Sequence, residues 1–552
     1  EYVVVSDGDV AGSSRLATGT VQAVSRAGIV IRTRSRLTFD SAWIDGYSGE
    51  RLLESNFQSL YDWMVSKPPA ARRIVIGQDT VPRFGKPPEM EFKLRMVDKS
   101  LNEKQREALS RALAMEDYLL VQGPPGSGKT VLIGALARAF IQRGDRVLLA
   151  ANTNQALDQA ILALIDQGLG DQVIRLGSEV SVTDERVKSR LLEVLADSAD
   201  RSHYIEEFKG LLEATRVVAA TVARWQTFPR NLAQELFDMA IVDEATQITV
   251  PSALGVLRHV DRFILLGDPN QLPPVVLHEE AEAEEERAAG KDSIDIEETS
   301  YTWSPLHRSL FEILLERLQQ FGPTDGVVSL EEQYRMNETI CRFPSKQWYG
   351  GKLRPAGKTV GRRELAMLLE PSGGPWSEVL SPEKHVAIID VPGSAEAGYM
   401  PRTNAAEARV ACEIVLAARR AGASEEDIAV ITPYRAQVAR IRRELEKAGQ
   451  GVLSSDQIRG MVDTVDRFQG EERPMVIVSF STYGRTLSDH LKNERRLNVA
   501  FTRAKHKLVL IGDRQILSRD ELLARLLSQA SEGDPHIIAK RWIPPDEAFA
   551  AF

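Results

Sequence analysis

Eight residues, Gly123, Pro124, Pro125, Gly126, Ser127, Gly128, Lys129 and Thr130, constrain the fold of this chain more than any other stretch. They match G-x-x-x-x-G-K-[ST] and lie between an apolar run, YLLVQ, and a helix-like run, VLIGALARAF. That is the strand–loop–helix setting in which such a loop wraps a phosphate. Backbone N–H groups of the loop and of the helix N-terminus can cradle phosphate oxygens, a task that needs the backbone freedom of glycine. Lys129 would reach the β- and γ-phosphates, and the Thr130 hydroxyl would help to hold Mg²⁺. Such a loop sits at the C-terminal edge of an open sheet, so the chain is expected to be α/β.

From Leu101 onward, apolar runs alternate with helical periodicity. YLLVQ, RVLLA, VVAAT, MAIVD and FILLG are short and each ends in a turn or polar residue, as parallel strands buried on both faces do. A second set follows: HVAIID, DIAVIT, PMVIVS and KLVLIG. Two sets in succession predict two α/β domains, residues 101–322 and 323–530, and a C-terminal tail at 531–552. Residues 178–213 read as a helical insertion in the first domain, and residues 350–385, with many Gly and Pro, as a loop-rich insertion in the second. Residues 1–100 differ. TVQAV and IVIRT flank SRAG as a hairpin, the helix-like GERLLESNFQSLYDWM follows, and RRIVIG and MEFKLRMV read as further strands. This predicts a small β-barrel with a helical appendage. Arg32, Arg34 and Arg36 would share one face of an extended strand, either solvated or touching phosphate.

Charge bears on the partners. The net charge is −9, which by itself argues mildly against a polyanion. Residues 278–300, HEEAEAEEERAAGKDSIDIEETS, carry −8 of it, leaving the rest nearly neutral. Such a block is an exposed acidic insertion or a regulatory flap that mimics nucleic acid. The only two cysteines, Cys341 and Cys412, exclude a disulfide framework and a four-cysteine metal centre within this chain. Both read as core residues, and their scarcity points to a reducing, intracellular setting, cytoplasm or nucleoid/nucleus. No apolar run approaches the roughly 18 residues of a membrane span, so no membrane partner is expected. The chain opens EYVVVSDGDV without an initiator Met or a secretory signal, consistent with a fragment.

The strand MAIVD ends in Asp243 and Glu244. Taken alone, such a pair is usually structural. Beside a phosphate loop, Asp243 fits the magnesium-holding carboxylate, and Glu244 is placed to orient or deprotonate an attacking water. NTP hydrolysis is the reading that follows. Further strings occur in a fixed order: LNEKQREAL, GDPNQLPPV, LEEQYRM, VDTVDRFQGEERPMVIVS and RRLNVAFTRAKHKLVLIGD. With GPPGSGKT and DEATQ, they resemble the motifs of the superfamily 1B helicases. The likeness is greatest to the group containing the nonsense-mediated-decay helicase and the helicase–nuclease of Okazaki-fragment processing, and it spans Leu101 to about Gly512.

The resemblance implies two tandem RecA-like parallel-sheet domains behind an N-terminal β-barrel accessory domain. It also implies an ATP-dependent helicase that moves 5′→3′ on single-stranded DNA or RNA with ATP and Mg²⁺, as a monomeric motor. By the same resemblance, Gln105 would read adenine, Gln271 would sense the γ-phosphate, and Tyr334 would stack on the base. Arg335 would contact the γ-phosphate, Glu472 would face the ribose, and Arg503 would be the arginine finger. Thr153, Asn154, Thr221, Pro433, Tyr434 and Thr464 would line the single-strand channel, although packing or turn formation competes at each. No nuclease motif is recognisable, so a nuclease would have to lie in an upstream part or partner. Two other readings stay open: an ATPase that remodels protein–nucleic-acid complexes without strand separation, and the ATP-switched module of a larger effector.

Overall fold

The computed structural model describes residues 2–6, 15–25, 28–33, 43–46, 61, 81–86, 100–195, 210–226, 237–274, 308–322, 325–365, 373–392, 402–449, 451–468, 470–482, 489–529 and 533–542. The chain divides into two compact units, Glu1–Ser66 and Lys67–Phe552. In the first, β1 (Tyr2–Ser6), β2 (Arg15–Ser25), β3 (Gly28–Thr33) and β4 (Trp43–Gly46) form an antiparallel sheet in the order β3-β2-β1-β4. The expected hairpin is β2–β3, closing at Ser25↔Gly28. Closure of this sheet into a barrel, the helical appendage, the strands RRIVIG and MEFKLRMV, and the acidic block 278–300 lie outside the described residues.

Every apolar run singled out after Leu101 is a strand. The first large sheet holds β5 (Tyr118–Gln122), β6 (Val147–Ala151), β7 (Val173–Leu176), β8 (Val217–Thr221), β9 (Met239–Asp243), β10 (Arg262–Gly267) and β11 (Val327–Ser329). All are parallel, in the order β11-β5-β10-β9-β6-β8-β7. Two short strands, β12 (Glu332–Gln333) and β13 (Arg354–Pro355), pair with each other. The second large sheet holds β14 (Val386–Asp390), β15 (Ile428–Thr432), β16 (Val462–Thr464), β17 (Arg473–Ser479), β18 (Ala504–Gly512) and β19 (Ile537–Arg541). It too is parallel, in the order β16-β15-β17-β18-β14-β19. Helices pack on both, and the apolar strand residues are buried in continuous cores.

Two expected boundaries move. Strand β11 lies beyond residue 322 yet pairs with β5, so the first sheet extends to Ser329. The stretch expected to be a tail at 531–552 contributes β19, which pairs with β14 over Val386↔Ile537 to Asp390↔Arg541. Both strands are short edge strands whose apolar residues are too few to stand out from a loop, and pairing with a neighbour decides them. The described part of 178–213 holds short helical turns, such as Glu185–Lys188 and Leu192–Leu195. Cys341 and Cys412 are buried free thiols, as expected of core residues.

Local signals explain where the helices begin and end. The helix Glu103–Ala114 opens on a capping box: the Asn102 side chain accepts from the Gln105 N–H, and Gln105 Oε1 accepts from the Asn102 N–H. The helix Lys129–Arg143 stops at Gly144, whose φ of 95° lets its N–H turn back onto helix carbonyls. Helix Ala405–Arg420 starts at Asn404, and its first turn carries a fully buried acid, Glu407. That carboxylate accepts from the Ser479 and Thr482 hydroxyls, the Ser481 and Thr482 N–H groups and the Asn404 amide. It thereby ties the end of β17 to a covering helix. Burial pushes its carboxyl up to about 7, against donors that favour the charged form. Glu407→Ala would leave the Ser479 and Thr482 hydroxyls and the Ser481 and Thr482 N–H groups without this buried acceptor, a cost of about 3 kcal/mol or more. Hydrogen exchange of β15 and β17 is expected to speed up accordingly, and unchanged protection would refute the role.

Candidate active site

The phosphate loop follows β5 directly. Gly126 and Gly128 adopt left-handed φ values of 71° and 78°, which only glycine takes without strain. There is also no room for a side chain: a Cβ on Gly126 would lie 2.6 Å from Arg335 Cβ, and one on Gly128 would lie 2.6 Å from Gln105 Nε2. Because Gly128 is the N-cap, no side chain occupies the first N–H groups of the helix, which therefore face the loop. Pro124, Pro125 and Ser127 are buried, and Ser127 Oγ has no hydrogen-bond partner among the described residues. Lys129 Nζ donates to the Gly123 carbonyl at 2.9 Å and stands 3.7 Å from Glu244 Oε1.

The acids stand at the end of β9, two strands from β5 with β10 between. Asp243 is buried, and burial first, then Glu244, raises its carboxyl to about 7 while Lys129 opposes the rise. Glu244 is held at φ 50°, ψ 39°, a left-handed backbone that is costly for a residue with a side chain. Its N–H donates to Asp243 Oδ1 and its Oε2 accepts from Gln247. Two adjacent acids facing one lysine leave net negative charge at this strand end. These are hard oxygen donors of the kind that suit Mg²⁺, and a cation there would relieve the buried charge of Asp243.

From the second sheet come the arginines. The Tyr334 N–H donates to the Gly126 carbonyl at 2.8 Å, which lays the LEEQYRM segment across the phosphate loop. Arg335 Nε donates to Glu472 Oε2 at 2.5 Å, and its NH1 donates to the Thr502 carbonyl. Glu472 also pairs with Lys505 at 2.7 Å. Burial would raise Glu472, but Arg335 and Lys505 prevail and hold it at about 2. Arg503 is buried and points at the first domain: its NH2 donates to Gln271 Oε1 at 3.4 Å. Burial, then the charge of Arg335, lowers Arg503 to about 9, so it stays a cation at neutral pH.

The structure thus gathers Lys129, Thr130, Asp243, Glu244, Gln271, Arg335, Glu472 and Arg503 at one sheet-to-sheet junction. Gln105, expected to read adenine, packs against the phosphate loop. It is 1% exposed, and both ends of its amide are engaged, Oε1 by the Asn102 N–H and Nε2 by the Ser127 and Gly128 carbonyls. It braces the phosphate loop. Asn102 also donates to the Tyr334 hydroxyl at 3.0 Å. Residues that sequence reasoning passed over include Asp268, Asn498 and Lys505, within quoted motifs, and Tyr349, which lies between two of them. The available signal was polarity at the ends of buried elements.

The nucleic-acid candidates form a second group at strand ends. Thr153, Asn154 and Thr221 follow or end β6 and β8, and Pro433, Tyr434 and Thr464 follow or end β15 and β16. Thr153 caps the helix Asn154–Asp166, and the exposed Asn154 has its Oδ1 held by the fully buried Arg175 at 3.0 Å. Tyr434, expected to stack on a base, is buried, with Arg402 lying 5.9 Å over its ring. Thr464 is also buried.

Two family models, both described as an AAA domain, match residues 100–209 with 197–279 and residues 306–515. The mouse DNA replication ATP-dependent helicase/nuclease DNA2 is 33% identical over 479 residues, covering 80% of this chain and 41% of that protein. Its chicken counterpart is 31% identical over 553 residues, covering 96% of this chain and 49% of that protein. The chain spans less than half the length of these relatives. An arterivirus nonstructural protein 10 helicase solved with DNA is 16% identical, covers 76% of this chain and 65% of that one, and has a TM-score of 0.38.

The crowding at Gly126 makes one substitution diagnostic. Gly126→Ala combines a positive φ with a collision against Arg335 Cβ, and is expected to destabilise the junction by about 1–3 kcal/mol. A thermal midpoint equal to that of the unaltered chain would show that the loop and the LEEQYRM segment do not pack as described.

Proposed function

We propose, for a chain that belongs to the superfamily 1B helicases as their motor core, that ATP hydrolysis at the junction of its two large sheets drives movement along single-stranded DNA and separates duplex strands. The observation that carries this reading is the hydrogen bond between Arg503 and Gln271, which joins the second sheet to the strand ends that hold Lys129, Asp243 and Glu244. Phosphoryl transfer spreads negative charge over the transferred group, so catalysis here means delivering positive charge and a positioned water. Lys129 supplies charge from the first sheet, and Arg335 and Arg503 supply it from the second. Both arginines belong to the same chain as the phosphate loop, which supports a monomeric motor.

Each residue then has a task. Lys129 takes the β- and γ-phosphates, and the loop N–H groups hold their oxygens. Thr130 and Asp243 would hold Mg²⁺, which supplies neutralising charge to the phosphates when bound. Glu244 orients or deprotonates the attacking water, with its carboxylate steadied by Gln247. Gln271 senses the γ-phosphate, and Arg503 stabilises the charge that develops on it. Arg335 is bound to Glu472 and must exchange that carboxylate for a phosphate, while Lys505 keeps Glu472 neutralised. Nucleotide binding is thereby tied to a rearrangement of the second domain. Tyr334 lies over the loop, 38% exposed, available to stack on a base.

Thr153, Asn154 and Thr221 on one sheet and Pro433, Tyr434 and Thr464 on the other give the strand two grips. Hydroxyl, amide and backbone N–H contacts to phosphate require little net charge, in keeping with a motor that is nearly neutral outside its acidic block. Because the relatives' names join a DNA helicase to a nuclease, we assign single-stranded DNA as the polymer and a nuclease as a partner activity, and from the likeness to the superfamily 1B motifs we take 5′→3′ as the direction. Lys129→Ala is expected to abolish single-strand-stimulated ATP turnover, and retained turnover would refute the site. Arg503→Ala should lose hydrolysis while ATP still binds; near-normal kcat would remove its role. Unwinding assays with matched DNA and RNA duplexes, each with a 5′ or a 3′ overhang, test polymer and polarity. ATP turnover without strand separation on any of them would favour the remodelling ATPase.

A further inference from the structure

Beneath Gln271 lies a buried polar hub that the tasks above do not use. Asp268, at the end of β10, is fully buried. Its Oδ2 accepts from Gln271 Nε2 at 2.8 Å and from the Tyr349 hydroxyl at 2.7 Å, and its Oδ1 accepts from the Asn270 N–H at 3.1 Å. The Tyr349 hydroxyl in turn accepts from Asn498 Nδ2 at 2.7 Å. Asn498 Nδ2 also reaches the Asn270 carbonyl at 2.8 Å, and Asn270 Nδ2 donates to the Trp348 carbonyl at 2.9 Å. Tyr349 and Asn498 belong to the second sheet's side of the junction, and Asp268, Asn270 and Gln271 to the first. The Tyr349 hydroxyl is thus one of several groups that join the two sides, and it is the one that reaches the Asp268 carboxylate.

The hub sits between the groups that must act together. Gln271 uses its Nε2 on Asp268 and its Oε1 on Arg503, so the carboxylate that Tyr349 holds also sets which end of Gln271 faces the arginine. Tyr349 is the C-cap of the helix Glu338–Trp348, and Tyr334 and Arg335 lie just before its N-cap, Asn337. That helix is about 16 Å long, and the segment that contains it touches the phosphate loop through Tyr334, ahead of the helix, and the Asp268 carboxylate through Tyr349, at its end. Asn498 Oδ1 is buried and has no partner among the described residues, an acceptor kept ready in the middle of the junction.

Resting on the ATPase reading above, we propose that Tyr349 is a positioning residue for hydrolysis. Its hydroxyl, shared between Asp268 and Asn498, aligns Gln271 with Arg503 and transmits closure of the second domain to the γ-phosphate sensor. Tyr349 touches no reacting atom and acts through Gln271. Removing the hydroxyl leaves Asp268 with one donor fewer and Asn498 Nδ2 with the Asn270 carbonyl alone.

The test uses the full chain and compares Tyr349→Phe, Gln271→Ala and the double variant for ATP turnover with and without single-stranded DNA. Tyr349→Phe is expected to lower the stimulated kcat about tenfold, with KM for ATP within about twofold. In the Gln271→Ala background the same change should cost less than about twofold, because its effect passes through that side chain. A stimulated kcat within twofold of the unaltered chain, or an undiminished tenfold loss in the Gln271→Ala background, would overturn the proposal. Circular dichroism and binding of a fluorescent ATP analogue check folding. Asn498→Ala carries the same expectation should Tyr349→Phe fail to fold. Lys129→Ala separates the two readings: full turnover there removes the ATPase assignment itself, whereas loss there beside an unaffected Tyr349→Phe removes only the relay.

Discussion

The hydrogen bond from the Gly123 N–H to the Gly267 carbonyl, 2.9 Å long, is the constraint on which the site depends. It continues the pairing of β5 with β10 one step past the sheet, so the phosphate loop and the loop carrying Asp268 and Gln271 leave their strands side by side. A Cβ on Gly267 would lie 2.9 Å from Thr246 Cγ2, which brings the turn after Asp243 and Glu244 into the same corner. Three strand ends are thereby locked together before any residue of the second sheet arrives. Because an open parallel sheet points all its C-terminal ends the same way, the phosphate-binding and acid-bearing loops share one edge without further instruction.

Charge is what the second sheet adds. Burying a cation or an anion is costly unless it is paired, and nearly every buried charge at the junction is paired with something from another element. Arg335 has Glu472, and Glu472 has Lys505. Asp268 has Gln271 and Tyr349, and Arg503 is surrounded by backbone carbonyls of Val499 and Glu471 besides Gln271. Glu407, away from the junction, has donors on every side and belongs to a rigid part of the fold. At the junction, Ser127 Oγ and Asn498 Oδ1 are buried and have no partner among the described residues. Satisfied networks hold one arrangement, whereas a network with spare acceptors and exchangeable ion pairs can adopt two.

Much of this was legible in the residues. The strands of both large sheets stood out because parallel strands buried on both faces are nearly continuous apolar runs. The short strands β7, β11, β16 and β19 did not, since three to five residues at a sheet edge carry little pattern and are decided by the neighbour they pair with. Site residues on the phosphate loop were legible because glycines at fixed offsets between a strand and a helix are seldom needed except to wrap an anion. The bonds of Gln105 were not legible: its amide engages a capping box and two loop carbonyls, partners that only packing brings to it. Tyr434 was legible as an aromatic next to a strand end, but not as a buried one.

The sequence by itself determined the class of chemistry and the order of the parts, because glycine spacing, strand-end acids and apolar periodicity are local properties of consecutive residues. Tertiary structure alone decided which side chains meet across the junction. Arg503 and Gln271, Arg335 and Glu472, and Tyr349, Asp268 and Asn498 are brought together by the packing of two sheets, and a hydrogen bond has no sequence separation to be read from. Burial is likewise a property of the packed molecule. It makes Asp268 and Tyr349 a structural hub, where the sequence displayed only a polar residue inside one motif and an aromatic between two others.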